Sequence, residues 1–184
     1  MRKSIPVLLF FLLSTLSMFG QKTFTLTSNT LGGNATSVEE FNGFGCTGDN
    51  VSPQLSWSNV PEGTKSFAIT MYDPDAPTGS GWWHWLVFDL PTDVSSLPAN
   101  AGSTDAGLMS AEAIQSITNY GAPGYGGPCP PEGHGIHQYV VTVHALSVDK
   151  LGLDATTNPA IVGYYLWNNT IAKASIVSYY ERKE

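Results

Sequence analysis

Lysine and arginine are scarce in this 184-residue sequence, and none lies between Lys65 and Lys150. The whole chain has eight of these cations against fifteen Asp and Glu, so its net charge is −7 with histidine neutral. An acidic surface of this kind repels nucleic acid and anionic membranes, and we expect neither as a partner. Any positive charge in the centre of the chain must come from histidine, backbone N–H groups, a bound metal ion or a distant cation folded inward.

Long apolar runs are also lacking, apart from one between Val7 and Phe19. This run is shorter than the ~20 residues that a membrane-spanning helix needs. Two cations at Arg2 and Lys3 precede it and Gly20 follows, as in a secretory signal peptide. The alternative, a buried core helix, leaves those terminal cations unexplained. We predict a cleaved signal peptide over residues 1–20, a single domain over residues 21–184, a secreted or periplasmic location and no stable membrane insertion.

Cysteine is limited to Cys46 and Cys129. An oxidising compartment would favour a disulfide between them, but cysteine is also a common small buried residue, so both states stay open. Catalysis by Cys129 is disfavoured because Pro128 and Pro130 flank it and leave few amides to lower the pKa of the thiol. The sequence also has no Gly-x-Ser-x-Gly and no His-Glu-x-x-His motif. We therefore predict no catalytic residue, no metal ligand and no cofactor.

Alternation of apolar and polar residues predicts a mainly β fold, with Asn50 to Trp57 leading into the sheet. Asn158 and Pro159 form a cap and first turn that predict a C-terminal helix over Ile161–Ala174. A weak helical patch, Ser110–Ile117, lies in a polar insertion over residues 98–120 that can be a lid or a surface loop. We expect an antiparallel sheet or sandwich with one or two peripheral helices. The predicted strands are Thr23–Thr27, Phe67–Tyr72, His84–Leu90, Gln138–Leu146 and Ile176–Tyr180.

Three separated segments place polar side chains where loops leave these strands. They are Asp73-Pro74-Asp75-Ala76-Pro77, Trp82-Trp83-His84-Trp85, and Gly126-Gly127-Pro128-Cys129-Pro130-Pro131 leading to His137-Gln138-Tyr139. A period of two puts His137 and Tyr139 on one face of their strand, and His84 on a face with Leu86 and Phe88. The segments can therefore build one pocket.

An anion pocket is the favoured interpretation of this cluster. His84 and His137 would carry positive charge, loop amides would donate hydrogen bonds, and Asp73 and Asp75 would orient the rings and raise their pKa. For one histidine taken alone, a satisfied structural residue at a strand end is the more common explanation. A metal site built from the same residues is the weaker alternative, since the ligands are far apart in sequence. The Trp82 region can also form a stacking wall for a sugar or a choline-like head group.

Over nearly the whole chain after residue 20, the sequence resembles the phosphatidylethanolamine-binding protein family, specifically its bacterial Raf-kinase-inhibitor-like branch. The resemblance lies in the order of its motifs. It implies an antiparallel β-sandwich with short peripheral and C-terminal helices and a small surface pocket for phosphate or phosphorylated head groups. The motifs are Asn50-Val51-Ser52-Pro53, Leu55-Ser56-Trp57, Asp73 to Pro77, Trp83-His84-Trp85, Gly124 to Pro131, and His137-x-Tyr139. By motif position, the resemblance implies a ligand-binding site lined by Asp73, Asp75, His84, Pro130, Pro131, His137 and Tyr139.

The sequence departs from animal members of that family at the short segment before Trp83, at Asn168-Asn169, and in its lack of central cations. The first two departures weaken any transfer of kinase partners to this chain. We therefore predict an exported, non-catalytic binding protein for a small anionic or phosphorylated ligand. The alternatives are a protein-interaction module that inhibits a kinase or protease, and a cryptic hydrolase or lyase that uses the Asp/His cluster.

Overall fold

A computed structural model describes residues 22–183, which form ten β-strands and one α-helix. The predicted signal peptide lies outside the described residues. Within them, no helix combines the length and the apolar character needed to cross a membrane. The helix is α1 (Pro159–Asn169), and the strands are β1 (Thr25–Thr27), β2 (Asn42–Gly43), β3 (Cys46–Thr47), β4 (Leu55–Ser58), β5 (Ser66–Asp73), β6 (Trp82–Leu90), β7 (Ser96–Leu97), β8 (Ile114–Gln115), β9 (His137–Leu146) and β10 (Thr170–Tyr180).

The strands form a five-stranded sheet in the order β10-β9-β5-β6-β8, a three-stranded sheet in the order β1-β4-β7 and a β2-β3 pair. All neighbouring strands in these sheets are antiparallel. The prediction of a mainly β fold is therefore confirmed. The main apolar core joins side chains of the two larger sheets, with Leu26 and Trp57 from the smaller packed in one cluster with Ile69 and Val141 from the larger.

The other face of the five-stranded sheet packs against α1, which buries Val162 and Leu166 in a second cluster with Leu86 and Phe88. Asn158 caps this helix as predicted, because its side chain accepts a hydrogen bond from the N–H of Ala160 at 2.9 Å. Burying an apolar stripe against the sheet stabilises a helix that has no charged residue in its first or last turn to interact with the helix dipole.

Two predicted elements are wrong. The C-terminal helix ends at Asn169 instead of Ala174, because the chain turns into β10 at Thr170 and pairs along its length with β9. The patch Ser110–Ile117 is not helical: it contains β8, which pairs with Val87 and Phe88 of β6 and fixes the 98–120 insertion to the sheet. In both places the backbone of a neighbouring strand offers hydrogen bonds that outweigh a weak helical period. Residues 22–183 therefore contain one helix, not several.

Candidate functional site

The Asp-Pro-Asp segment is a turn that begins at the end of β5. Asp73 is the last residue of that strand and is buried, and its carboxylate accepts a hydrogen bond from the N–H of Asp75 at 2.8 Å. The carboxylate of Asp75 in turn accepts the N–H of Gln138, also at 2.8 Å. Asp75 therefore ties the turn to β9 and makes no hydrogen bond to either histidine ring, so its predicted role in orienting the rings is not seen.

A β-bulge in β6 sets the direction of His84. Met71 pairs with Trp85 and Tyr72 pairs with Trp83, so His84 is the extra residue with no partner in β5. Trp83 packs on the α1 side with Leu86 and Phe88, whereas the His84 ring lies 5.1 Å from the ring of Tyr139 in the main core. The prediction that His84 shares a face with Leu86 and Phe88 is therefore wrong.

Nδ1 of His84 is held by the Gly-rich loop. It lies 2.7 Å from the carbonyl oxygen of Gly126 and 3.0 Å from that of Gly127. The loop can approach because it lacks side chains here: a Cβ on Gly126 would collide with the ring of Tyr120, and one on Gly127 with the backbone of Glu39. Asn50 clamps the same loop, donating to the carbonyl of Tyr125 and accepting the N–H of Gly127.

Burial decides the charge of His84. The ring is 2% exposed, and loss of solvation lowers its pKa to about 4, an effect larger than the opposing ones of the Gly126 and Gly127 carbonyls and of Asp73. The ring is therefore neutral at neutral pH. The expectation that neighbouring aspartates hold both rings protonated is wrong for His84.

His137 lies in the middle of a chain of three polar side chains. Its Nδ1 is 2.7 Å from Oδ2 of Asp73, and its Nε2 is 2.7 Å from Nδ1 of His134. His137 and Asp73 are buried, whereas His134 is exposed. The chain therefore runs from a buried carboxylate to the surface, and both ring nitrogens of His137 have partners within the protein. His134 is not among the predicted site residues, although its spacing of three from His137 is visible in the sequence.

These segments enclose a cavity of about 190 Å³. Six of the seven predicted site residues lie on its wall, and Asp75 does not. The lining residues are Phe44, Asp73, Ala76, Pro77, Thr78, Trp82, His84, Tyr120, Cys129, Pro130, Pro131, His137 and Tyr139. The wall therefore mixes apolar surface with a few polar side chains, as is typical of small-ligand sites.

Three lining side chains carry a buried polar atom without a hydrogen-bond partner: Nε2 of His84, the hydroxyl of Tyr139 and Nε1 of Trp82. Buried polar atoms are usually paired, since an unpaired one costs about 1–3 kcal/mol. Burial raises the pKa of Tyr139, so its hydroxyl keeps its proton. The cavity thus offers Tyr139 O–H and Trp82 N–H as donors, beside the ring of His84.

Aromatic rings close the outer part of the cavity. Tyr120 lies edge-on to Trp82 at 5.3 Å and to His84 at 5.6 Å, measured between ring centroids. Its hydroxyl donates to the carbonyl of Gly127 at 2.9 Å, and Phe44 covers it from outside. Tyr120 is not among the predicted site residues, because the pairing of β8 and the hydrogen bonds of Asn119 with Trp83 bring the 98–120 insertion to this place.

A disulfide joins Cys46 and Cys129, with 6.0 Å between their Cα atoms, and links the lining loop to β3. Arg182 braces the same loop, because its guanidinium donates to the carbonyl of Gly45 and pairs with Glu132. Arg182 is the distant cation that approaches this region, but it does not line the cavity. No lysine or arginine is among the lining residues.

The Asp/His cluster does not have the geometry of a metal centre. In the part of the chain that the structure describes, no group of three or more His, Cys, Asp or Glu side chains is placed to hold a metal ion. The two nitrogens of His137 are directed at Asp73 and His134 rather than at a shared point. The arrangement can exchange hydrogen bonds and protons with a small polar ligand.

Known proteins share this fold and much of this sequence. The family model for phosphatidylethanolamine-binding protein matches residues 29–181. UPF0098 protein YbcL of Escherichia coli K12 is 49% identical over 162 residues, which cover 87% of this chain and 88% of YbcL. UPF0098 protein YbhB of the same organism is 48% identical over 140 residues, covering 75% of this chain and 86% of YbhB.

Solved structures agree with these matches. The crystal structure of E. coli YbcL, described as a new member of the mammalian PEBP family, superposes with a TM-score of 0.84, covering 86% of this chain and 98% of that one. The Chlamydia trachomatis homologue CT736 is 28% identical, with a TM-score of 0.70 over 86% of this chain and 97% of that one. The predicted family is thereby confirmed: this chain belongs to the phosphatidylethanolamine-binding protein family.

Proposed function

We propose that this protein is an exported, non-catalytic binding protein whose cavity takes a small anion, such as phosphate or a phosphorylated head group. The observation that carries the proposal is the set of three unpartnered polar atoms, on His84, Tyr139 and Trp82, in one small cavity. A ligand oxygen would satisfy the two donors among them. Hydrogen bonds to a charged partner are worth about 1.5–3 kcal/mol each, so two of them supply useful affinity.

The size of the cavity supports a small ligand. Its volume of about 190 Å³ corresponds to roughly six water molecules at ~30 Å³ each, below the ~300 Å³ at which drug-sized ligand sites begin. A phosphate group with a short substituent suits this volume. The rest of a longer molecule would extend past the exposed Phe44 and Pro131 into solvent.

The non-catalytic part of the proposal rests on the chemistry of the wall. Among the lining residues there is no serine, and the one cysteine, Cys129, is held in the disulfide with Cys46. Neutral His84 is directed at loop carbonyls through Nδ1, and no lining hydroxyl is hydrogen-bonded to its Nε2. The wall therefore lacks an evident nucleophile with a base. The hydrolase or lyase alternative and the inhibitor alternative stay predictions.

The exported location rests on two observations that point the same way. The N-terminal sequence has the cationic and apolar segments of a secretory signal. The Cys46–Cys129 disulfide suits an oxidising compartment outside the cytoplasm. Detection of the protein in a periplasmic or culture fraction, with residues 1–20 absent from its N-terminal peptide, would test this part directly.

Binding of phosphoethanolamine tests the proposed ligand class. We expect saturable shifts of the His84 ring resonances by NMR at pH 6, and weaker shifts at pH 7.5. His84→Gln should weaken binding roughly 10- to 100-fold, since one hydrogen bond to a charged ligand is lost. His144→Gln is the matched control, because His144 lies on the opposite side of the sheet, by α1. His84 ring resonances that do not shift at either pH, or equal losses of affinity in the two variants, would contradict the proposal.

A further inference from the structure

The hydrogen bonds of His84 determine which of its ring nitrogens carries the proton. Nδ1 faces the carbonyl oxygens of Gly126 and Gly127, and carbonyl oxygens only accept hydrogen bonds. Nδ1 must therefore be the protonated nitrogen. In the neutral ring Nε2 then carries a lone pair and no hydrogen. This bare Nε2 is the atom that is buried in the cavity wall without a partner.

The cavity therefore offers one acceptor beside its two donors. Trp82 and Tyr139 can donate to a ligand, but a ligand oxygen that approaches Nε2 of His84 meets a second lone pair unless a proton lies between them. The only acidic lining residue, Asp73, adds further repulsion for a bare anion, and no lysine or arginine in the lining offsets it. A fully deprotonated ligand thus leaves one polar contact repulsive.

We propose that the pocket takes its phosphate-type ligand together with one proton, held between a ligand oxygen and Nε2 of His84. The inference rests on the proposed function and adds a ligand specificity to it. The low pKa of His84 agrees with it, because the ring alone does not bring this proton at neutral pH. The proton must come from the ligand or from solvent during binding.

Every titratable group that faces His84 fits this assignment. Asp73 comes from β5, His137 and Tyr139 from β9, and Tyr120 from the 98–120 insertion. Burial raises the pKa of both phenols, so neither takes part as a base. His137 is the one competing site for a proton, and both of its nitrogens are engaged, by Asp73 and by His134. Nε2 of His84 is the free basic atom.

This assignment favours one chemical class. A phosphate monoester has a second ionisation near pH 6, so its monoanion carries a P–OH group that can donate to Nε2. A sulfate monoester has no such proton, and it can bind in this way only after His84 itself is protonated. At neutral pH the pocket should therefore discriminate in favour of phosphate monoesters over sulfate monoesters of the same size and charge distribution.

Calorimetric titration in buffers of different ionisation enthalpy measures the number of protons taken up when a ligand binds. The purified protein is titrated with phosphoethanolamine and with ethanolamine O-sulfate. With a ligand pKa near 6, phosphoethanolamine should take up about one proton at pH 7.5 and roughly a quarter at pH 5.5. The affinity for phosphoethanolamine should fall roughly 25-fold from pH 5.5 to pH 7.5. The sulfate should take up about one proton at both, and its affinity should fall roughly 100-fold, because the pKa of His84 is about 4.

Two variants locate the proton. His84→Gln removes the basic nitrogen that accepts from the P–OH group, so the dianion is no longer disfavoured there and proton uptake with phosphoethanolamine at pH 7.5 should fall close to zero. His134→Gln leaves His84 intact and should keep an uptake of about one. Loss of proton uptake in His134→Gln would place the proton on His137 and overturn the assignment to His84. Because His134→Gln changes an exposed side chain, it stays informative if His84→Gln does not fold.

The outcomes separate this inference from the proposed function. Tight binding of phosphoethanolamine with no proton uptake at pH 7.5, or equal affinity for the sulfate, would overturn the inference and leave the anion pocket standing. Absence of binding heat with both ligands at both pH values would overturn the anion pocket and this inference with it.

Discussion

Two histidines of the same five-stranded sheet share a lowered pKa but differ in their hydrogen bonds. Burial lowers the pKa of both His84 in β6 and His144 in β9 to about 4. Nδ1 and Nε2 of His144 lie 3.2 and 3.3 Å from the hydroxyls of Thr170 and Thr70, and a hydroxyl can donate or accept. Both nitrogens of His144 are thus satisfied in either tautomer, whereas Nε2 of His84 has no partner.

The histidine without an unpaired nitrogen, His144, lies beside the larger cavity. His144 lines the larger cavity, of about 600 Å³, between α1 and the sheet, and His84 lines the smaller one of about 190 Å³. The lowered pKa is therefore common to both cavities, and volume alone would favour the one beside His144. The distinguishing feature is the grouping of three unpaired buried polar atoms on one cavity wall, those of His84, Tyr139 and Trp82, whereas other unpaired atoms such as Nε1 of Trp57 lie outside that cavity.

Removal of the disulfide should have the largest effect on stability and, within the folded state, should disturb the His84 region alone. Cys46 and Cys129 are 83 residues apart, so loss of the crosslink should lower the free energy of unfolding by about 4 kcal/mol. Urea denaturation of a Cys46→Ser, Cys129→Ser double variant measures this loss. Phosphoethanolamine affinity should also fall, because Pro130 and Pro131 line the cavity beside Cys129. Altered His144 resonances in the folded variant would contradict a local effect.

Acid should lower the free energy of unfolding by a smaller amount than loss of the disulfide, through both histidines. An unfolded histidine titrates near pH 6.5, and burial lowers the pKa of His84 to about 4, so below pH 6.5 the unfolded chain binds a proton that the folded chain refuses. Stability is therefore complete above pH 6.5, falls as the pH drops toward 4, and levels off below it. At pH 5 the loss from His84 should be roughly 2 kcal/mol.

The loss from His144 should be of similar size, because burial lowers its pKa to about 4 as well. Urea denaturation of the wild type, His84→Gln and His144→Gln at pH 7.5 and pH 5 measures both contributions. Phosphoethanolamine should restore stability at pH 5 in His144→Gln more than in His84→Gln. An equal response of the two variants would remove the distinction between these histidines.

The sequence order of the motifs predicted most of the wall, because strand ends of one sheet bring Asp73, His137 and Tyr139 together whatever the detailed register. It did not predict the direction of His84. A period of two assumes an unbroken ladder, and the bulge opposite Met71 and Tyr72 shifts the ring to the other face.

Residues outside the three segments were harder to place. Tyr120 reaches the cavity because β8 pairs with β6 and Asn119 exchanges hydrogen bonds with Trp83, contacts that have no local sequence signal. Asn50 was visible within a motif, but its clamp on Tyr125 and Gly127 depends on a fold that joins residues more than 70 positions apart. The end of α1 was missed because β9 offers Thr170 and the residues after it a complete strand pairing. Long-range backbone pairing is the shared cause.

The smallest expected effect distinguishes two aromatic neighbours of His84. Nε1 of Trp82 has no partner, whereas the hydroxyl of Tyr120 already donates to the carbonyl of Gly127 at 2.9 Å. Trp82→Phe should weaken phosphoethanolamine binding roughly 10-fold, as expected when one charge-assisted hydrogen bond is lost. Tyr120→Phe removes a hydroxyl occupied within the protein and should change affinity by less than about 3-fold. Calorimetric titration of both variants checks this order. A larger loss of affinity in Tyr120→Phe would show that the ligand takes over hydrogen bonds that the folded protein already makes. Unpaired atoms would then not be what defines the site.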